Sequence, residues 1–314
     1  MSLYTYKFRY IFFLLYLLGF IFPNLTYSQS NGDADKYQAD SDNIIGQIVF
    51  TANINGVIEN CKCGKPPLGG LPQISTLINK IISENEYTYF IDGGDFLNTY
   101  PYPSLNSAIV DIYKLLNIEF ITLGDQEWID DDEIDNLIMN EFKSKIIASN
   151  YWIDNIDLMH SGTIDLGMGS KAYCISYLDA RSFFVSDDKS GIRFDDKLFT
   201  STYNDMTKND GLFILLYHGT RYVLNALIEK YPKLHLVLWA HEQSTLENIS
   251  DNPAIIGGGS DGEYIKQIKI YKADHGFKFK VNSIPVIIDI AEDANIRSII
   301  DKFKAADEMA KDQD

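Results

Sequence analysis

The sequence contains little cysteine and little positive charge. Its three cysteines, Cys61, Cys63 and Cys174, are an odd number, so they do not form a disulfide framework. Only 27 Lys and Arg residues stand against 44 Asp and Glu residues, and the net charge is −17. A chain this acidic repels phosphate backbones and anionic lipids. We therefore predict that it has no nucleic-acid partner and does not bind a membrane surface.

A long hydrophobic run is also missing. The most apolar stretch, Ile11 to Phe22, is too short to span a bilayer comfortably. It follows the basic residues Lys7 and Arg9 and precedes small and polar residues, which is the pattern of a secretory signal peptide. We predict a signal peptide at residues 1–28, cleaved after Ser28. The protein would then be exported, periplasmic or extracellular, and would carry no membrane anchor after cleavage.

The rest of the chain divides into three predicted segments. Residues 29–42 are polar and acidic, which indicates a disordered leader. Residues 43–290 have the length and apolar content for one large α/β domain. Residues 291–314 carry apolar side chains at helical spacing and predict a C-terminal amphipathic helix.

Within the domain, apolar runs alternate with amphipathic helical patterns. The alternation predicts strands, most of them followed by helices, except at residues 151–207, where the pattern is irregular. The predicted strands include 44–51, 87–91, 118–123, 212–217 and 234–239, and an antiparallel hairpin is predicted at 265–281. The predicted helices are 71–83, a helix capped by Ser104, 134–143 and 221–231.

Polar side chains follow several of these strands. Asp95 comes after the second strand and the glycines of Asp92-Gly93-Gly94, which allow a tight turn. In open α/β sheets, ligands bind just beyond the carboxyl ends of the strands. The strand-end groups that could bind a cation or assist chemistry are Asn53, Asn55, Asp95, Asp125, Gln126, Glu127, Asn150, His218, His241 and Gln243.

Each of these residues alone has an ordinary structural explanation. Asp95 could cap a helix, and His218 or His241 could be a core histidine. Their common position at strand ends indicates a metal site instead. The Gly257–Gly259 run, by contrast, has no helix after it to present amide groups to a phosphate, so it predicts a turn.

The order and spacing of these groups resemble the calcineurin-like metallophosphoesterases, and within them the N-terminal domain of secreted and periplasmic 5′-nucleotidases. That family carries Asp-x-His, Gly-Asp, Gly-Asn-His-Glu, a lone His and Gly-His-x-His after successive strands. The resemblance implies a four-layer αββα sandwich in a single domain. The terminal helix stands where those enzymes lead into a second, nucleobase-binding domain, which we expect to be absent.

The resemblance also implies a metal site. In the family, two divalent ions share one aspartate and activate a hydroxide beside phosphorus. By motif, Asp95 would be the shared ligand. Asp125, His218 and His241 would complete one metal position, although the family has asparagine where Asp125 stands. Two imidazoles and two carboxylates suit one zinc, manganese or iron ion.

The second metal position has lost most of its ligands. Asn53 and Asn55 stand where the family has Asp and His, and Gln243 stands where it has its last His. Amide oxygens are weak neutral ligands, so a second transition metal would be held poorly if at all.

The catalytic histidine is also missing. Gln126 stands at its position, and an amide cannot transfer a proton near neutral pH. The neighbouring Glu127, or Glu242 beside His241, could substitute as an extra ligand or as a base. Whether the chain is an enzyme is therefore left open by the sequence, and any activity would be hydrolysis of a phosphate ester.

Three functions remain open from the sequence. The first is a divergent exported phosphate-ester hydrolase with at most one well-formed metal position. The second is a catalytically inactive protein on the same scaffold that binds a small phosphorylated molecule or an exported protein. The third is a metal-handling or redox protein that uses Cys61 and Cys63, because the segment from Gly56 to Cys63, followed by Leu68 to Leu71, resembles an exported bacterial branch with Cys-x-Cys. Two thiols at this spacing can share a soft metal, and a loop disulfide or free thiols are equally possible.

Overall fold

The structure is a computed structural model that describes residues 44–60, 66–129, 138–183 and 191–312. These residues all fall in one unit of the chain, Asp42–Asp314. The predicted signal peptide and acidic leader, together with Cys61 and Cys63, lie outside the described residues. In the part of the chain that is described, no helix is both long enough and apolar enough to cross a membrane.

The first of the two main sheets has five strands. β1, β2 and β3 run parallel because helices connect them, and β1 also pairs antiparallel with β12, which forms a hairpin with β13. The order across the sheet is β13-β12-β1-β2-β3. The bounds are β1 Ile44–Thr51, β2 Thr88–Asp92, β3 Ile118–Ile121, β12 Tyr264–Lys272 and β13 Phe277–Pro285.

The second main sheet has six strands in the order β10-β11-β9-β8-β6-β5. Its four central strands are parallel, and one antiparallel strand lies at each edge. The bounds are β5 Gly162–Asp165, β6 Lys171–Leu178, β8 Leu212–Gly219, β9 Leu236–His241, β10 Glu247–Asn248 and β11 Ala254–Gly257. A separate two-stranded antiparallel sheet pairs β4 (Tyr151–Ile153) with β7 (Ile192–Phe194).

The two main sheets pack face to face through apolar side chains. Ile48 and Phe50 of β1 lie in one buried cluster with Ile214 and Leu216 of β8. Alternate residues of each strand therefore point inward, and the residues between them point to the outer faces. Full burial of each such side chain contributes about 1.5–3 kcal/mol.

Helices cover both outer faces. α1 (Leu71–Glu84), α2 (Pro103–Leu115) and α5 (Ala294–Lys311) pack against the five-stranded sheet, where Val49 of β1 joins their buried side chains. α3 (Asp196–Met206) and α4 (Arg221–Lys230) pack in the same way against the six-stranded sheet. The layers are therefore α, β, β and α, which confirms the predicted four-layer arrangement.

Some local predictions differ from the structure. The helix α3 falls in the stretch for which the sequence predicted irregular structure. Ser104 is not the cap of α2, because the helix begins at Pro103 and Tyr102 is its N-terminal flanking residue. The predicted helix 134–143 is helical at residues 138–142, and its predicted start lies outside the described residues.

Candidate metal centre

Strand pairing brings both candidate histidines to one edge of the six-stranded sheet. β8 and β9 are parallel neighbours, with His218 opposite Ala240 and Gly219 opposite His241. Asp95 comes from the other sheet, three residues after the end of β2, in a left-handed backbone conformation with φ of 57°. Asp125 follows β3 and begins a short 3₁₀ turn, Gln126–Trp128.

The ligand atoms of Asp95, Asp125, His218 and His241 all lie within 4.8 Å of one another. Nε2 of His218 is 3.4 Å from Asp95 Oδ2 and 3.4 Å from Asp125 Oδ1. Nδ1 of His241 is 3.0 Å from the same oxygen of Asp125. Asp95 and His218 are buried, while Asp125 and His241 are partly exposed. The structure therefore brings together the four residues that the sequence proposed for one metal position.

The orientation of His218 fits a metal ligand. Its Nδ1 lies 2.9 Å from the carbonyl oxygen of Gly93, and since a carbonyl only accepts, Nδ1 carries the hydrogen. Nε2, which carries the lone pair in the neutral ring, faces the two aspartates. This atom is buried and has no hydrogen-bond partner. A divalent cation between two carboxylates and two imidazoles would satisfy it, so the residues present fit the implied metal.

The electrostatics of the cluster agree with this fit. Burial alone would lower the pKa of His218, but Asp95 and Asp125 raise that pKa well above its ordinary value. Burial would raise the pKa of Asp125, but His218 and His241 hold it well below its ordinary value. The four side chains thus favour a positive charge among them, and a proton on His218 would compete with a metal ion for the same lone pair.

Glu127 holds the two aspartate loops together. Its Oε2 accepts from the backbone N–H groups of Asp95 (3.0 Å) and Gly124 (2.6 Å), and its Oε1 accepts from Phe96 (2.8 Å) and Leu97 (3.3 Å). Burial and repulsion from Asp95 raise the pKa of Glu127 to about 8, against the four donors, which favour the carboxylate. Both oxygens are already used, so Glu127 positions the loops and is poorly placed to act as an additional ligand or base.

Glu242 has a similar structural partner. Its Oε1 accepts from the backbone N–H of Arg221 at 2.8 Å, at the first residue of α4. This satisfies one of the N–H groups that a helix leaves free at its start. Asn150 is likewise engaged, because its amide makes two hydrogen bonds to the backbone of Leu178.

Hydrogen-bonded amides stand where the sequence predicted a second metal position that has lost its ligands. Asn53 donates to Gly259 O at 2.7 Å and accepts from the backbone N–H of His241 at 2.9 Å. Asn55 donates to Asp261 Oδ1 at 2.8 Å and accepts from Gln126 Nε2 at 2.9 Å. Gln243 is exposed. The first two amides cross-link the loop after β1 to three other loops.

Sequence reasoning missed two residues at this site. Gly124 lies so close to the cluster that a Cβ there would be 2.2 Å from Asp95 Oδ1 and 2.3 Å from His218 Cε1. Asp261 reaches Asn55 across 206 residues of sequence. The Gly-Asp pair of the third strand-end loop was the only available signal, and for Asp261 the sequence contains none.

Comparison with known proteins identifies the fold. No protein-family model matches the sequence, and a search of curated proteins finds no match. Among solved structures, the chain is similar to the sulfate thiohydrolase SoxB of Thermus thermophilus, with a TM-score of 0.71 and 14% identity over 83% of this chain and 60% of that one. It is also similar to a 5′-nucleotidase precursor from Thermus thermophilus, with a TM-score of 0.69 and 13% identity over 84% and 59%.

A further similar structure, the calcineurin-like phosphoesterase YfkN of Bacillus subtilis, has a TM-score of 0.64 and 15% identity over 84% of this chain and 98% of that chain. The chain has the fold of the calcineurin-like phosphoesterases. It spans about 60% of the length of SoxB and of the 5′-nucleotidase precursor.

Proposed function

We propose that this protein is an exported, divergent phosphoesterase domain that holds one divalent metal ion and binds the phosphate group of a small phosphorylated molecule. Asp95, Asp125, His218 and His241 would hold the ion, which could be zinc, manganese or iron. A bound ion would supply a Lewis-acidic site for a phosphate oxygen. The observation that carries the proposal is the buried, unpartnered Nε2 of His218, which faces two carboxylates.

The state of the second metal position supports a binding function over two-metal hydrolysis. The amide oxygens of Asn53 and Asn55 each already accept a hydrogen bond from a protein group and carry no charge, so they are weak ligands for a second ion. Gln126 cannot protonate a leaving group. Hydrolysis through two ions and a general acid therefore lacks two of its three components, and the phosphate ligand would be bound and released intact.

Metal analysis of the purified mature protein tests the proposal. We expect one equivalent of divalent metal after loading and dialysis, and close to none in His218→Ala. His275→Ala is the matched control, because His275 is exposed in the β12–β13 turn and should leave metal content unchanged. Two tightly held equivalents in the wild-type protein, or one equivalent retained in His218→Ala, would contradict the proposal.

Turnover of an aryl phosphate separates binding from hydrolysis. With manganese, zinc, iron or magnesium present, we expect the wild-type rate to equal that of His218→Ala. A variant that restores the family pattern, with Asn53→Asp, Asn55→His, Gln126→His and Gln243→His, should bind a second equivalent of metal. A metal-dependent wild-type rate well above the His218→Ala rate would favour the hydrolase alternative instead.

The thiol hypothesis stays a prediction. Cys61 and Cys63 lie outside the described residues, and the third cysteine, Cys174, is a free thiol buried in β6. Replacing both Cys61 and Cys63 by serine should leave the metal content at one equivalent if the cluster at the strand ends is the metal site. Loss of metal in that variant would instead favour a Cys-x-Cys centre.

A further inference from the structure

A chain of hydrogen bonds beside the metal centre has a fixed direction. It begins at Asp261, whose carboxylate oxygen accepts from Nδ2 of Asn55 at 2.8 Å. An ionised carboxylate can only accept, so the amide of Asn55 must turn its nitrogen toward Asp261 and its oxygen away. That oxygen accepts from Nε2 of Gln126 at 2.9 Å. The assignment of oxygen and nitrogen in both amides therefore follows from their partners.

The chain ends in an acceptor with no partner. Because Nε2 of Gln126 is bound to Asn55, Oε1 of Gln126 points the other way, where it is buried and makes no hydrogen bond. The residue is only 9% exposed. A buried polar atom without a partner is rare in native proteins and calls for an explanation, such as a ligand that completes the hydrogen bond.

Gln126 lies beside the metal cluster. Its backbone N–H donates to Asp95 Oδ1 at 3.1 Å, and it directly follows Asp125 in the sequence. The loop that holds its side chain is fixed to the Asp95 loop as well, since the N–H of Asn55 donates to the carbonyl oxygen of Asp95 at 2.9 Å. The unpartnered oxygen therefore belongs to a residue that is anchored to two ligands of the proposed metal site, to Asp95 by a hydrogen bond and to Asp125 by the peptide bond.

We propose that Gln126 is a specificity-determining residue whose Oε1 accepts a hydrogen bond from a protonated oxyanion bound at the metal centre. The centre would then prefer a phosphate group that carries a proton, as inorganic phosphate does near neutral pH and a phosphate ester does below its second pKa of about 6, over sulfate, which has no proton to donate. This inference rests on the proposed function, because the anion reaches Gln126 only when a metal ion holds it.

The preference for a protonated anion follows from which group can donate the hydrogen bond. A neutral amide oxygen attracts an O–H donor and repels the lone pairs of a deprotonated oxygen. An imidazole at the same position could donate to either anion. The amide therefore favours a ligand that carries a proton on the oxygen facing Gln126. The site is buried, so a ligand that cannot make this hydrogen bond leaves a costly unpaired group.

Isothermal titration of the metal-loaded mature protein with inorganic phosphate and with sulfate, at one pH near neutrality, tests the proposal. We expect the wild-type protein to bind phosphate about tenfold more tightly than sulfate, a difference of about 1.4 kcal/mol. Gln126→His should reduce this ratio to near one, because its ring can donate to sulfate.

A second variant changes the direction of the chain without touching the ligand. Asp261→Asn replaces the obligate acceptor by an amide that can also donate, so Asn55 and Gln126 can both turn around and present an N–H to the anion. Asp261 has φ of 57°, a conformation that asparagine tolerates well, so the fold should be kept. We expect the ratio to fall as in Gln126→His. Gln243→Met, at an exposed amide near His241, should keep the wild-type ratio.

Each outcome has a definite meaning. Equal affinities in the wild-type protein, no binding of either anion, or a wild-type ratio in both variants would overturn the role of Gln126. The metal content of the same samples is measured first. A wild-type protein with one equivalent of metal and no preference would overturn this inference alone, whereas a protein that binds no metal would overturn the proposed function together with it.

Discussion

Asp92 allows the energetic cost of a buried charge in this fold to be measured. It ends β2 and is fully buried, with its oxygens accepting from Thr51 Oγ1 (2.6 Å), Gly94 N (2.9 Å) and Tyr113 OH (3.3 Å). Burial is the largest influence and outweighs these donors, so the pKa of Asp92 rises from 3.8 to about 7. Asp92→Asn keeps the shape of the side chain and removes the charge.

The size of the stability effect follows from the pKa of Asp92. One pKa unit corresponds to about 1.36 kcal/mol, so a rise from 3.8 to about 7 makes ionisation of Asp92 in the folded protein about 4 kcal/mol less favourable than in the unfolded chain. The folded state keeps a proton that the unfolded state has lost between these two pH values. The free energy of unfolding therefore falls as pH rises through this window, and the full penalty is present above pH 7.

The asparagine variant has no such penalty. Between pH 5 and pH 8 the free energy of unfolding of Asp92→Asn, relative to wild type, should rise by about 3 kcal/mol. Imperfect hydrogen bonding of the amide adds a constant of about 1 kcal/mol that cancels between the two pH values.

Urea unfolding followed by circular dichroism, with a chelator present, measures the difference at both pH values. Asp274→Asn, at an exposed turn residue, is the control and should parallel the wild type at both pH values. The reasoning is refuted if Asp92→Asn also parallels the wild type, because Asp92 would then be ionised at no extra cost in the folded protein.

Three further experiments test the geometry of the metal centre. Glu127→Gln should weaken metal binding about tenfold in a competition assay with a chelator, because two of the buried N–H groups that join the Asp95 and Asp125 loops lose their acceptor; unchanged affinity would argue against its positioning role. Gly124→Ala should weaken metal binding at least tenfold in a competition assay with a chelator, since its Cβ would overlap Asp95 and His218, and full affinity would show that the ligands need not keep these positions. Metal at about 100 times its dissociation constant should stabilise the wild-type protein by about 2.7 kcal/mol in thermal unfolding and leave His218→Ala unchanged, and an equal shift in both would place the metal elsewhere.

The parts of the fold that the sequence predicted are those with strong local patterns. β1 is a largely apolar run, and α1 follows a Gly-Gly pair and has a proline in its first turn. α3 was missed although Phe199, Tyr203 and Met206 recur at helical spacing behind the capping residue Asp195. The Thr, Asn and Asp residues between them masked the pattern. The β4–β7 sheet pairs segments about 40 residues apart, and local periodicity contains no information on such pairing.

At the candidate site, too, the sequence predicted some features and could not predict others. The sequence placed Asp95 and His218 at strand ends. Parallel pairing sets His218 beside His241, and the packing of the two sheets brings Asp95 to them. The Gly-Asp motif selected Asp95 rather than Asp92, but nothing in the sequence showed that Asp92 is fully buried. The sequence also could not show that Glu127 and Glu242 are engaged by backbone N–H groups from distant loops, since those partners exist only in the folded chain.

The asparagines after β1 have a consequence for how this protein behaves when stripped of metal. A metal ion normally acts as a cross-link, and many small metalloproteins collapse when a chelator removes it. Here the side-chain amides of Asn53 and Asn55, which no chelator can extract, already tie the loops of Asp125 and His241 to the loop after β1. The fold should therefore persist when the metal ion is removed, and the preformed site could then bind a metal ion again.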